Sequence, residues 1–306
     1  MSTASSPGTA QLDPDAVATD GFPTQRRGGE ALYFAFRNRK LVFGLGVVLF
    51  FLAFALVGPW LTDTDPFDFG FATGAPPSSE NWFGTTAPGQ DVFTQFVHGL
   101  RASFLVGALA GCVAAVIAML VGFTCGYRGG VIDEVLSMLT NVVLVIPTLA
   151  VLIVVSAYLS IQSLFTEALL IGLTSWPWAA RAIRAQTFSL ASRDFVSMAR
   201  LSGARPWRII VKEIAPNMSS YLFLTFILLF GGAILTAATL DFLGLGPSNA
   251  MSLGLMMNTA VSNSALQLGM WWWFIVPGLG IMAIVGGLYV MNVGLDEVFN
   301  PKLREM

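Results

Sequence analysis

Six apolar stretches of roughly twenty residues, separated by polar connections, constrain this chain more than any other feature. They cover about 41–61, 103–127, 135–158, 164–183, 221–240 and 271–293. A helix needs about 20 mostly apolar residues to cross the hydrocarbon core of a bilayer. Only 11% of the chain is charged. Soluble domains carry about 25%, so lipid is the solvent this sequence is built for. Pro147, Pro177 and Pro277 fall inside the predicted spans. Neighbouring membrane helices can satisfy the carbonyls that a proline frees, so these positions predict kinks rather than ends.

Basic residues are retained on the cytoplasmic side of a membrane. Arg26, Arg27, Arg37, Arg39 and Lys40 precede the first span, and Arg128 separates spans two and three. Arg181, Arg184, Arg193, Arg200, Arg205, Arg208 and Lys212 cluster around the connection between spans four and five, and Lys302 and Arg304 follow span six. Six spans with both termini cytoplasmic put fifteen of the sixteen basic residues on one side, leaving only Arg101 opposite. The predicted fold is an all-α polytopic membrane protein. It has a disordered cytoplasmic tail (1–30), an N-terminal span with an extracytoplasmic loop (31–100), a membrane core (101–295) and a cytoplasmic C-terminal tail (296–306).

The outer loop carries Asp63, Asp65, Asp68, Glu80 and Asp91 but no lysine. Trp60, Tyr158 and the run Trp271–Trp273 lie near outer boundaries, where amphipathic rings settle at headgroups, and are read as anchors. Gly107, Gly111, Ala115, Ala118 and Gly122 line one side of span two, and Gly278, Gly280, Gly286 and Gly287 thin span six. Such positions let helices approach closely, either within the bundle or against a second membrane subunit. Cys112 and Cys125 share one span about 20 Å apart, beyond disulfide reach.

Acids lie at the edges of the spans, with Asp133 and Glu134 before span three, Glu167 at the outer start of span four and Asp241 ending span five. Ion-coupled carriers keep such groups near the midplane. Lys40, Lys212 and Lys302 follow Arg39, Val211 and Pro301, so no phosphate-cradling G-x-x-x-x-G-K-[ST] loop is present. His98 is the single histidine, which leaves no histidine pair for zinc. No basic arm interleaved with aromatics points to nucleic acid. Either a partner supplies energy or transport is passive.

The most informative stretch is the predicted cytoplasmic connection 185–217. It contains Ser192-Arg-Asp-Phe-Val-Ser-Met-Ala-Arg-Leu-Ser-Gly-Ala-Arg-Pro-Trp-Arg-Ile-Ile-Val-Lys-Glu-Ile-Ala-Pro-Asn217. Ser192 is placed to cap a helix with Asp194 in its first turn. Gly203 suits the end of that helix, and Pro206 opens a second short helix predicted to stop near Pro216. The result is a stiff knob with Phe195, Met198, Ala199 and Ser202 on one face.

This segment resembles the cytoplasmic "EAA" loop of ABC-importer permeases, E-A-A-x3-G with a proline thirteen residues on, because Gly203 and Pro216 have that spacing. Ser197 and Met198 depart from the pattern, as do Glu213 and Ala215, while Ala199 keeps its place. The resemblance extends further along the chain. Phe83-Gly-Thr-Thr-Ala-Pro-Gly-Gln-Asp-Val-Phe93 is similar to L-G-T-D-x-x-G-R-D-V-x, with Gln90 where arginine is usual, and His98 to Gly107 is similar to G-x-R-x-S-L-x-V-G. Phe242-Leu-Gly-Leu-Gly246 and Asn300-Pro-Lys-Leu-Arg304 also match. Together these features resemble the second permease type of the dipeptide, oligopeptide and nickel branch, which adds one N-terminal span to a five-helix type I importer core.

That resemblance implies a bacterial or archaeal plasma-membrane subunit with no cofactor and no catalysis of its own. Its partners are a second permease, two cytoplasmic ATPases (or one fused) holding ATP and Mg, and an extracytoplasmic solute-binding protein. It also implies ATPase coupling through Asp194, Phe195, Met198, Ala199, Arg200, Leu201, Gly203, Ala204, Arg205 and Pro216. Of these, Phe195, Met198, Ala199 and Leu201 are expected to fill an apolar groove, and Arg200 and Arg205 to meet its rim. The implied solute is a di- or oligopeptide, with nickel chelates or another small solute as the alternative. Asn141, Asn258, Met256, Met257 and Met282 are candidate path residues only. A secondary carrier or channel is the competing class.

Overall fold

The computed structural model describes residues 37–62, 64–159, 161 and 163–299. The predicted N-terminal tail and residues 300–306, with Arg26, Arg27, Lys302 and Arg304, lie outside the described residues, as does Asp63, whereas residues 296–299 of the predicted C-terminal tail continue the last helix. Among the described residues the regular elements are all helices, apart from an isolated bridge between Thr85 and Asp91 in the 64–91 loop. Four helices are long and apolar enough to cross a membrane: α1 (Arg39–Leu61), α2 (Val92–Arg128), α10 (Ser219–Phe242) and α12 (Trp271–Phe299). A fifth crossing exists if the bent pair α3 (Gly130–Val145) and α4 (Thr148–Leu159) is one span.

The bend in that pair is 77°. Pro147 has no N–H to donate and its ring excludes the carbonyl four residues earlier, while the residue before it is pushed to extended backbone. Ile146 duly sits at φ −75°, ψ 125°. The predicted span 164–183 divides into α5 (Leu164–Ser175) and α6 (Pro177–Ala191), each too short to cross alone. Pro177 occupies the first position of α6, where its missing N–H costs nothing. Trp176 stays near helical backbone, so the break is a kink.

Helix α2 organises the bundle. It packs against α1, α3, α5, α6, α10, α12 and the short α11 (Leu253–Ser262). At 37 residues it is about 55 Å long, well beyond the bilayer core. Its first turns, capped by Asp91 accepting from the Thr94 amide, are buried beneath the outer loop.

Small residues set the closest approaches. A Cβ on Gly44 of α1 would lie 2.4 Å from the Met291 nitrogen of α12, and one on Gly294 would lie 2.4 Å from that of Leu41. Gly107 and Gly111 admit Ile234 and Phe230 of α10, and Gly122 admits Ala180 and Ile183 of α6. The glycine stripe of span two thus serves packing within the bundle. Gly286 of α12 faces open space.

The tryptophan run behaves differently from its prediction as an anchor. Trp271 is exposed, but Trp272 and Trp273 are buried. Trp272 Nε1 donates to the Thr85 carbonyl at 3.1 Å and so ties the outer loop to α12. That loop is ordered by its own bonds. Gln90 Nε2 donates to the Phe67 carbonyl, Gln95 Nε2 to Gln90 Oε1 and to the Pro66 carbonyl, and Asn81 Nδ2 to Asp91 Oδ1.

Candidate functional site: the knob between α6 and α10

Helix α6 runs straight into the knob. After Ser192 and Arg193 come α7 (Asp194–Leu201), α8 (Pro206–Ile209), a π-helical turn (Ile210–Ile214) and α9 (Ala215–Asn217). Ser192 does not cap α7. Arg193 occupies the cap position without a side-chain bond, and Ser192 Oγ donates back to the Ser189 carbonyl of α6. Asp194 sits in the first turn and Arg200 in the last, each complementing the end of the helix dipole it lies near.

The turn out of α7 is fully determined. Gly203 has φ +74°, a left-handed conformation that glycine adopts without a Cβ penalty. The Gly203 amide donates to the Arg200 carbonyl and the Ala204 amide to the Ala199 carbonyl, the two bonds of a Schellman motif. Pro216 does not end the second helix as predicted. Instead the preceding turn widens, with the Ala215 amide reaching Ile210 O, and the chain passes through Pro216 to α10. The wider turn accommodates the ring and missing donor of the proline.

Burial sorts the knob into a root and a face. Val196 is 0% exposed, and with Ile209, Ile210, Ile214 and Met218 it joins Ala118 and Phe123 of α2 and Ile183 of α6 in one apolar cluster. Phe195, Ala199 and Ala204 pack partly against that root. Met198 (68% exposed), Leu201 (89%) and Trp207 (62%) point away from the bundle. Asp194, Arg205 and Pro216 are exposed as well. Thus Met198 and Leu201 of the predicted apolar set lie on the outer face, and Phe195 and Ala199 turn inward. Trp207, outside the predicted contacts, joins the face. An aromatic one residue after the helix-opening Pro206 was the available signal.

Arg200 is also engaged within the chain. Its guanidinium lies 5.0 Å from the ring centroid of Tyr127 at the end of α2, and its Nε donates to the Tyr127 hydroxyl at 3.4 Å. One turn deeper, Arg184 of α6 makes a two-pronged ion pair with Asp133 of α3, and Arg181 donates to Asn141 Oδ1. Asn141, Arg181, Arg184, Ser137 and Thr140 line a cavity of about 380 Å³.

The other candidate path residues do not gather in one place. Met256 is fully buried, and Asn258 donates to the Phe242 carbonyl. Met257 and Met282 border an apolar groove of about 540 Å³ between α10 and α12. At the opposite end of the bundle, Glu167 of α5 is fully buried against Asp241 of α10. No N–H or hydroxyl group among the described residues donates to either Glu167 oxygen, which leaves the Asp241 carboxyl as its polar neighbour. The sequence placed both acids at span edges without showing that they meet.

Two families match. The one described as the binding-protein-dependent transport system inner membrane component covers residues 118–305, including the whole knob. The N-terminal TM domain of oligopeptide transport permease C covers residues 29–77. The dipeptide transport system permease protein DppC of Bacillus subtilis (strain 168) is 30% identical over 88% of this chain and 83% of its own length. The oligopeptide transport system permease protein OppC of the same organism is 30% identical over 88% of this chain and 88% of its own. The probable D,D-dipeptide transport system permease protein DdpC of Escherichia coli (strain K12) is 31% identical over 84% and 85%. The chain belongs to the inner-membrane-component family of binding-protein-dependent transport systems and is a non-catalytic, membrane-spanning permease subunit.

Proposed function

We propose that this chain forms half of the translocation path of an ATP-driven importer of di- and oligopeptides, coupled to cytoplasmic ATPases through residues 192–217. In this reading six spans leave both termini in the cytoplasm, with α3–α4 and α5–α6 each crossing as one broken span. The distribution of Lys and Arg supports that topology. A second permease completes the path, a solute-binding protein delivers the peptide, and ATP with Mg is held by the ATPases. The names of the relatives support the choice of solute.

The observation that carries the reading is the outer face of the knob. Met198, Leu201 and Trp207 expose apolar surface on a unit whose root is packed into the bundle. Tryptophan, methionine and arginine, here Trp207, Met198 and the exposed Arg205, are residue types enriched at protein interfaces. ATP-driven closure of a partner seated there would move α6 and α10, which the knob joins.

The test is Leu201→Asp in the assembled importer. Leu201 is 89% exposed, so the substitution leaves folding intact. A carboxylate pressed into an apolar groove is costly enough to weaken ATPase retention about ten-fold or more. Co-purification of the ATPases and ATP-dependent peptide uptake should fall together. Full retention and full uptake would remove the knob as the docking element.

A further inference from the structure

We infer that Arg200 and Tyr127 form a strut between the knob and α2, so that Arg200 is a positioning residue for coupling rather than a contact for the ATPase. The inference rests on the coupling role proposed above and assigns the force path within it.

Three observations lead to it. First, among the described residues the Arg200 guanidinium is engaged by Tyr127 alone, with the ring face at 5.0 Å and the hydroxyl at 3.4 Å. A planar guanidinium over an aromatic face is held by the ring's negative face and by stacking, which fixes orientation as well as distance. Second, the two ends of this contact belong to different mechanical units. Arg200 lies in the last turn of α7, immediately before the Schellman turn, and Tyr127 lies in the last turn of α2. Third, α2 is pinned to α6 beside Tyr127. A Cβ on Gly126 would meet the Arg184 carbonyl at 2.6 Å, and one on Gly122 would meet the Ala180 carbonyl at 2.8 Å.

The knob is therefore held at both ends of α7. Its start continues from α6 through Ser192 and Arg193, and its finish is tied to α2 by Arg200. Val196, Phe195 and Ala199 seat the body of α7 on the root; without the second tie its last turn, which carries Leu201, yields when the outer face is pulled, and part of the displacement is lost before it reaches α2. Since α2 touches α1, α3, α5, α6, α10, α11 and α12, a push delivered to α2 reaches the whole bundle. Met198, Leu201 and Trp207 bind in this scheme, and Arg200 transmits.

The experiment uses the assembled importer in lipid vesicles, with three readouts: ATPase co-purification, ATP hydrolysis rate, and peptide taken up per ATP hydrolysed. Arg200→Ala and Tyr127→Leu should each leave the ATPases bound and hydrolysis running, while uptake per ATP falls about two- to five-fold, the range for an exposed cation–aromatic contact. The double variant should fall no further than either single one, since both remove the same contact. Tyr127→Phe keeps the ring face and should match the parent. Arg200→Lys keeps a cation without the planar face and should recover part of the loss. Release of the ATPases by Arg200→Ala would mark Arg200 as a docking contact and overturn the inference. So would an unchanged uptake ratio in Tyr127→Leu, or additive losses in the double variant. If the parent complex retains no ATPase or imports without ATP, the coupling role itself fails, a result separable from these.

Discussion

The seam between α1 and α12 allows the cost of one methyl group to be isolated. Gly44 and Gly46 lie two residues apart in the same helix. Changing either to alanine gains the same helix propensity, about 1 kcal/mol. Their surroundings are opposite. A Cβ on Gly44 would stand 2.4 Å from the Met291 nitrogen, 2.6 Å from the Gly287 carbonyl oxygen and 2.8 Å from the Met291 Cα, all backbone atoms. A Cβ on Gly46 meets nothing within 4 Å. Backbone on the facing helix cannot swing aside as a rotamer can, so relief requires α1 and α12 to separate by about 1 Å. Overpacking of this kind costs about 1–3 kcal/mol. The propensity gain cancels in the comparison, so Gly44→Ala should be less stable than Gly46→Ala by that amount. Thermal inactivation of the detergent-solubilised protein, at one scan rate and read by size-exclusion fluorescence, measures the gap. The Lys40–Glu297 ion pair and the Asn38–Glu297 bond close the same seam, so opening should also expose the start of α1 to protease. Equal inactivation temperatures for the two variants would refute the tight-seam reasoning.

Two further outcomes follow from single contacts. Trp272→Phe keeps a six-membered aromatic ring but removes the pyrrole N–H and leaves the buried Thr85 carbonyl without that donor, so it should cost about 1–3 kcal/mol and speed protease cleavage within residues 64–91. Glu167→Gln replaces one of two adjoining buried acids with a neutral amide whose N–H can donate to Asp241. It should therefore be tolerated or stabilising in a melting assay, whereas Glu167→Ala, which empties the site, should cost about 2 kcal/mol or more.

What the sequence disclosed, and what it hid, divides along physical lines. The long apolar helices α1, α2, α10 and α12 were legible because length and hydropathy alone decide whether a segment suits a bilayer. The positions of Pro147 and Pro177 located the breaks, although not the 77° at the first. Gly203 was legible because a positive φ has a strong residue preference. Pairings between distant segments were not. Trp272 and Trp273 carry the signature of interfacial anchors, and only the outer loop folding over α12 makes them core. Helix α11 escaped because ten residues fall short of a span and its cap, Ser252, is indistinguishable from any loop serine. Phe195 and Met198 are both apolar residues of one short helix. Which of them faced the bundle depended on where Ile209 and Ile214 would pack.

The breaks and the tight contacts alternate along the chain, and this gives the bundle around the knob its mechanical character. Gly172 seats α5 on Val113 and Ala110 of α2, Gly122 and Gly126 seat α6 on α2, and Gly44, Gly287 and Gly294 lock α1 to α12. Each of these contacts is backbone against backbone or against a β-branched side chain, where separation loses dispersion steeply. Between them lie Pro147, Pro177 and the widened turn before Pro216, places where the helical hydrogen-bond ladder is already interrupted. A bend at such a point breaks few new bonds, whereas a bend within α2 or α6 breaks several. Deformation of the bundle therefore concentrates at the prolines while the glycine-packed segments move as bodies. The knob sits between two of these soft points, Pro177 upstream and Pro216 downstream, with α6 fused to α2 beside it. Displacement of the knob thus loads α6 together with the α2 and α5 segments it is packed with, while the widened turn before Pro216 yields between the knob and α10. Under the coupling proposed above, a substitution that stiffens the turn before Pro216 should lower peptide uptake per ATP hydrolysed while ATPase co-purification stays unchanged.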